Sequence, residues 1–321
     1  MQTFQELVKD FAAHFEDRHF PEQPSNLYDP GEYLLSMGGK RIRPVMCLMG
    51  NELFDKINPD TYHVATAIEL FHNFTLVHDD IMDAASLRRG METVHKKYGD
   101  SVALLSGDVM MIRAYEYLNK INTSYLKHIL SVFNKTATGV CEGQQLDMDF
   151  EKQADVTMDE YIHMVTLKTS VLLAASLELG AILGGAGEAN RRILYEFGKN
   201  LGIAFQIQDD YLDAFGDPEK FGKDVGGDIR QNKKTFLLVQ ALQSGTQAQK
   251  QELLQLMKDN PSDKVERVLS LFKACNVDSW ARSLQEKYIQ LADKNLEDIA
   301  VVSSRKSALR ELAAFLVHRE S

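Results

Sequence analysis

Apolar residues recur at i, i+3, i+4 and i+7 over most of this 321-residue chain, and strict alternation is scarce. Proline occurs 7 times, four of them at or before Pro44, so the helical periodicity runs on with few breaks. The pattern predicts an all-α protein. Helices are expected over about 2–19, 44–54, 60–82, 100–119, 123–149, 158–184, 189–214, 233–243, 247–258, 263–274, 277–296 and 303–318. Asn58-Pro59-Asp60 and Asn260-Pro261-Ser262 mark helix starts, while Gly38-Gly39 and Gly184-Gly185-Ala186-Gly187 mark ends. No fixed-period repeat and no Pro-, Gly- or Ser-rich linker divides the sequence, so residues 1–321 are expected to form a single large helix bundle. One stretch is expected to be a loop, the FGDPEKFGKDVGGD of residues 215–228, long enough to be functional.

With 44% hydrophobic residues the chain has ample material for a core. No window approaches eighteen uninterrupted apolar residues, and the start MQTFQELVKDFAAHFEDRHF is charged throughout, so a cytoplasmic protein without stable membrane anchoring is expected. Cys47, Cys141 and Cys275 are widely spaced and form no CxxC, which argues against both a disulfide framework and a zinc site. The net charge of −10, from 36 basic against 46 acidic residues, argues against nucleic acid or an anionic membrane as partner.

The same acidic pattern, DDxxD, closes two apolar helical runs: Asp79, Asp80 and Asp83 after AIELFHNFTLV, and Asp209, Asp210 and Asp213 after LGIAFQI. Chance supplies about 0.15 such matches in a chain of this composition. On a helix, i and i+4 share a face, so Asp79 with Asp83 and Asp209 with Asp213 set like charges side by side. A cation reverses the sign of that interaction. Oxygen-only donor sets suit Mg²⁺, or Mn²⁺, shared with the phosphates of a substrate.

Basic residues are grouped in the same parts of the chain. Gly38-Gly39 leads into Lys40, Arg41 and Arg43; Arg88 and Arg89 follow the first cluster; Lys223, Lys233 and Lys234 follow the second. Arginine forks and lysine charges are phosphate ligands, so Lys40, Arg43 and Arg89 are candidates to hold one diphosphate while metal on the aspartates holds another. His72 lies about 10 Å before Asp79 on nearly the same helical stripe. A lone histidine on an apolar helix is usually a satisfied core residue.

With GGKRIRP, LVHDDIMDAASLRRG and FQIQDDYLDAFGDPEKFGKDVGGDIRQNKKT, the sequence resembles the trans-isoprenyl diphosphate synthases of the polyprenyl synthetase family, geranylgeranyl and farnesyl diphosphate synthases in particular. The resemblance implies an all-α fold around a central cavity, a homodimer, and elongation of an allylic diphosphate by isopentenyl diphosphate. It implies that the six motif aspartates hold three Mg²⁺ against the allylic diphosphate. Arg88, Lys168, Lys223 and Lys233 match positions that support this diphosphate, and Lys40, Arg43, His72 and Arg89 match the isopentenyl diphosphate site. Thr169 and Gln206, with Lys168 and Lys233, match catalytic positions, and Gln144 and Asp147 resemble cavity-lining ones. No protein base is required, because the departing diphosphate takes the proton.

Product length is expected to depend on Phe71, Phe74 and Thr75, one and two turns below Asp79. In the family an aromatic residue five before the first aspartate commonly floors the pocket, and small residues admit long chains. A large Phe74 beside a small Thr75 points to a C20 product, with C15 next and a longer chain third. A terpene cyclase would pair one DDxxD with a different metal motif, a non-catalytic subunit would lack one cluster, and a phosphohydrolase would need a water-activating group not found here. Six of the ten net negative charges are motif aspartates, so the acidity is in large part a metal site.

Overall fold

The computed structural model describes residues 1–153, 155–216 and 226–317, and it is all-α as expected. The helices are α1 Phe4–Phe15, α2 Ser25–Ser36, α3 Ile42–Glu52, α4 Asp60–Met82, α5 Val94–Tyr98, α6 Asp100–Leu118, α7 Thr123–Lys152, α8 Met158–Val165, α9 Val171–Leu183, α10 Glu188–Phe215, α11 Gly227–Arg230, α12 Phe236–Ser244, α13 Gln247–Asp259, α14 Lys264–Ala274, α15 Val277–Asp298 and α16 Ser303–Val317. A π turn, Thr166–Ser170, joins α8 to α9, where an unbroken α-helix was expected. The strands among the described residues are the antiparallel pair β1 Leu87–Arg88 and β2 Met91–Glu92.

The chain packs as two compact units. One takes Met1–Lys135, Ala175–Leu194 and Ala300–Ala308; the other takes Thr136–Ala174, Tyr195–Ile299 and the chain from Leu309. In the first, α4 packs on α3 and α6 and buries Val64, Ala65, Ala67, Ile68, Leu70 and Phe71. Every residue of α3 from Pro44 to Asn51 is buried, as an apolar helix in a core requires. Helix α1 begins at Phe4 rather than at residue 2, because Thr3 and Glu6 form a capping box. It ends early too: the Glu32 carboxylate accepts the backbone N–H groups of His19 and Phe20, which turns the chain toward α2. Helix α2 was not expected, since Pro30 and Gly31 lie inside it. Burial of Pro30, Gly31, Leu34 and Leu35, with packing on α6, outweighs that propensity.

In the second unit, α12 to α15 bury Phe236, Leu253, Val268, Phe272 and Val277 in one cluster with Tyr161 and Met164 of α8. The C-terminal third thus builds the core behind the candidate site helices α8 and α10. The 215–228 loop is shorter than expected at both ends, because α10 runs to Phe215 and α11 begins at Gly227; residues 217–225, Lys223 included, lie outside the described residues. The most apolar long run, Met158–Leu183, has a window of mean hydropathy 1.5 that is 72% buried within the protein, the signature of a core helix. None of the three cysteines is in a disulfide.

His19, 8% exposed, receives the Tyr117 hydroxyl at Nδ1 (2.9 Å) and donates from Nε2 to the Phe15 carbonyl (3.2 Å). Burial pushes it down to about 4, despite the hydrogen bond to Phe15. The folded state therefore excludes a proton that the unfolded chain binds below its ordinary value of 6.5, so stability falls as pH drops from 6.5 toward 4. The expected loss between pH 7.5 and pH 5 is about 2 kcal/mol from this group. Guanidinium melts at the two pH values measure it, and His19→Phe is expected to reduce the difference by that amount; an unchanged difference contradicts the assignment.

Candidate active site

The first acidic cluster occupies the last turn of α4, where the helix macrodipole is negative. Asp79 and Asp83, four residues apart on this helix end, place like charges where the helix dipole is already negative, which favours a bound cation. Asp80 is 1% exposed, and Arg88 on β1 forks onto it, with Nε 2.8 Å from Oδ2 and a terminal nitrogen 2.7 Å from Oδ1. The β1–β2 pair, with Arg89 (φ 53) and Gly90 (φ 77) at its turn, holds Arg88 in place. Asp79 is half-buried and Asp83 exposed. The middle aspartate is thus tied down by the protein while its two neighbours lie nearer the surface.

In the same unit, Arg43 and His72 come together, the guanidinium donating to His72 Nε2 at 3.2 Å. As acceptor, Nε2 is unprotonated, so the ring proton sits on Nδ1. Burial first, and then the charges of Arg43 and Arg89, hold His72 well below the ordinary histidine range, so the ring is neutral at pH 7. Burial also lowers Arg43, to about 10, and its Nε–H is buried without a partner among the described residues. A buried cationic donor with nothing to bond is a seat for an anion. Arg89 donates to the Gly38 carbonyl, which brings the GGKRIR segment and the RRG turn together. Lys40 lies two residues past Gly38 and is exposed.

The residues expected to set product length also lie in this unit. Phe71 is 1% exposed, Phe74 is half-buried, and their ring centroids are 5.7 Å apart. Phe133 of α7 stands edge-on to Phe71 at 5.4 Å, and His78 edge-on to Phe74 at 4.7 Å. The Thr75 hydroxyl donates to the His72 carbonyl at 2.7 Å, so its side chain is small and satisfied within its own helix.

The second acidic cluster lies in the last two turns of α10, in the other unit. Asp210 is 5% exposed; Tyr161 O–H donates to its Oδ2 at 2.5 Å and Gln206 Nε2 to its Oδ1 at 2.8 Å. Burial first, then the nearby Asp228 charge, push Asp210 up to about 7 against these hydrogen bonds. Asp213 accepts the Asp228 backbone N–H at 3.0 Å, which anchors the start of α11. Asp209 is half-buried.

A cavity of about 170 Å³ within this unit is lined by Lys168, Thr169, Gln206, Asp210 and Lys233, together with Asp147, Tyr161 and Asp228. Lys168 and Thr169 reach it from the π turn, whose backbone packs against two glycines. A Cβ at Gly143 of α7 would lie 2.2 Å from Lys168 N, and one at Gly202 of α10 would lie 2.8 Å from Ser170 Cα. Only glycine permits α7 and α10 to clasp the turn so closely. Lys168 Nζ is 2.5 Å from Asp147 and Lys233 Nζ 3.9 Å from Asp228. Gln144 is buried on α7.

No three His, Cys, Asp or Glu side chains among the described residues converge on one point as a closed metal cage. Mg²⁺ does not need one, since it takes one or two carboxylates and completes its shell with water and substrate phosphate. The oxygen-only donors Asp79, Asp83, Asp209 and Asp213 at negative helix ends fit such an ion. Tyr161, Asp228 and the buried pair Arg41–Glu69 were not anticipated in the sequence. The signal for Asp228 was present, since it closes the GKDVGGD run; Tyr161 is 49 residues from Asp210 and carries no local sign of the contact.

The polyprenyl synthetase family profile matches residues 24–275, a span that contains both acidic clusters and the basic segments. The geranylgeranyl diphosphate synthase of Saccharolobus solfataricus is 37% identical over 98% of this chain and 97% of its own length. Among solved structures, a geranylgeranyl pyrophosphate synthase superposes with a TM-score of 0.94 at 42% identity over 100% of both chains. The geranylgeranyl pyrophosphate synthetase of Pyrococcus horikoshii does so with a TM-score of 0.91 at 34% identity over 98% of both. Fold, matched motifs and relatives agree, and the chain belongs to the polyprenyl synthetase family.

Proposed function

We propose that this chain condenses isopentenyl diphosphate with an allylic diphosphate (dimethylallyl, geranyl or farnesyl) and that its main product is geranylgeranyl diphosphate, C20. The observation that carries the reading is kinship over nearly the whole chain with proteins named geranylgeranyl diphosphate synthases, with both carboxylate clusters inside the matched span. Retention of both clusters favours an active enzyme over a non-catalytic subunit.

In this reading, Lys40, Arg43 and Arg89 bind isopentenyl diphosphate, and the buried Arg43 donor finds its partner there. His72, neutral and accepting from Arg43, orients that guanidinium. Arg88, Lys168, Lys223 and Lys233 offset the charge of the allylic diphosphate. Mg²⁺, or Mn²⁺ in its place, would be held by Asp79 and Asp83 on one cluster and by Asp209 and Asp213 on the other, three ions being the number the family resemblance implies, and would supply positive charge to the leaving diphosphate. The allylic C–O bond then breaks with both electrons on the diphosphate. The isopentenyl double bond attacks C1, and the proton lost from the adduct passes to the released diphosphate. Thr169 and Gln206 present oxygen dipoles to the transient cation, a form of electrostatic stabilisation that needs no general base. The growing tail ends against Phe74, backed by Phe71, with Thr75 beside it.

Asp79→Ala and Asp209→Ala are each expected to lower turnover by about a thousandfold or more. Chelation by EDTA is expected to abolish wild-type turnover and added Mg²⁺ to restore it; near-normal rates in either variant contradict the metal assignment. Incubation with each allylic primer and chromatography of the products tests chain length. Wild type should give mainly C20 and Phe74→Ala longer chains, while an unchanged distribution in the variant removes Phe74 as the floor. The proposal also makes the protein a homodimer, in support of which Leu104, Leu105 and Ile112 are each more than half exposed on α6. Light scattering should give twice the chain mass, and Ile112→Glu should halve it.

A further inference from the structure

We propose that Tyr161 and Asp210 are positioning residues that fix the direction of the Gln206 and Thr169 oxygen dipoles, and that Asp210 commits its carboxylate to this task and not to metal. Four side chains on the same cavity form one directed chain of hydrogen bonds. Tyr161 O–H donates to Asp210 Oδ2 at 2.5 Å, Gln206 Nε2 donates to Asp210 Oδ1 at 2.8 Å, and Thr169 Oγ1–H donates to Gln206 Oε1 at 3.2 Å.

The direction of each link follows from what the groups can do. With the Tyr161 hydroxyl donating to Oδ2, Asp210 accepts at Oδ1 from Gln206, which turns its NH₂ toward Asp210 and its carbonyl oxygen away. A flipped amide would set that carbonyl against Asp210, losing that hydrogen bond and adding repulsion, and would turn the Thr169 hydroxyl from donor to acceptor. Thr169 has a single hydrogen, and giving it to Gln206 leaves its lone pairs unpaired by that bond. Both Asp210 oxygens already accept from protein donors. Tyr161, 3% exposed, is in turn fixed by the core: its ring packs against Phe236 with centroids 6.0 Å apart. The network is anchored in packed side chains at one end and reaches the cavity at the other, so the dipoles are aimed before substrate arrives.

The assignment rests on the prenyl-transfer reading, in which a cation forms in this cavity. Its contrast is with Asp209, a half-buried aspartate on the same turn. Tyr161→Phe keeps the ring and removes one oxygen. It is expected to lower kcat tenfold or more while leaving KM for both substrates, and calorimetric Mg²⁺-dependent binding of inorganic diphosphate, within twofold of wild type. Asp210→Asn should behave in the same way, whereas Asp209→Asn should lose the Mg²⁺-dependent binding. A double-mutant cycle with Gln206→Met isolates the positioning role: because Tyr161 acts through Gln206, adding Tyr161→Phe to Gln206→Met should cost less than twofold more. Wild-type kcat in Tyr161→Phe, full additivity in the cycle, or loss of Mg²⁺–diphosphate binding in Asp210→Asn equal to that in Asp209→Asn overturns the proposal. Absence of any prenyl product from the wild-type enzyme overturns the underlying reading instead, and the calorimetric comparison then still decides whether Asp210 serves metal.

Discussion

Each acidic cluster holds its carboxylates near the negative end of a helix, and the chemistry of each unit's site depends on that placement. Asp79 and Asp83 close α4, and Asp209 and Asp213 lie in the last two turns of α10, so each pair repels itself and also meets the carbonyl end of its own helix. A folded chain keeps such a feature when a cation makes it favourable. Basic residues stand on segments close in sequence to each cluster, and Arg88 forms an ion pair with Asp80.

The two clusters compensate their buried middle aspartate by different means. Asp80 has a guanidinium fork, a charge-assisted pairing that cancels one negative charge inside the cluster. Asp210 has a phenol and an amide, both neutral, and Asp228 nearby adds to the negative charge. The first cluster is therefore partly self-neutralised, whereas the second has neutral donors on its middle aspartate and the positive charge of Lys233 nearby. That difference is why the second cluster can act on dipole orientation: neutral donors impose direction without removing the field.

Much of the architecture was legible because it follows from local periodicity. Helix α4 has the expected bounds 60–82, and the ends of most others agree within a few residues. Helix α2 was hidden by Pro30 and Gly31, whose helical state depends on packing against α6, and the short β1–β2 pair was hidden because two-residue strands have no periodicity to read. The π turn was hidden for a related reason. Residues 158–184 carry one continuous apolar pattern, and the extra residue per turn falls where the backbone packs closely on Gly143 and Gly202, distant in sequence. In the site, the aspartates and their basic neighbours could be named from spacing, but Tyr161 could not. As a residue on the core face of a helix it looks like any aromatic packing group, and its hydroxyl acquires meaning only through a partner on another helix.

The run Lys40-Arg41-Ile42-Arg43 shows how a fold separates residues that a sequence groups. Arg41 takes a left-handed backbone conformation (φ 48) as the residue before α3, which sends its side chain inward. There it pairs with the buried Glu69, donates to the Leu35 carbonyl at 3.2 Å and lies 4.7 Å over the Phe15 ring. Glu69 also accepts from Asn73 at 3.1 Å, so its charge is satisfied locally. Arg43, two residues on and already helical, is thereby left without a direct carboxylate contact and keeps its buried Nε–H for an anion. Had Glu69 paired with Arg43, the chain would hold the same charges and lose its anion seat. In the proposed reading, the Arg41–Glu69 pair is thus the condition under which Arg43 can serve a diphosphate.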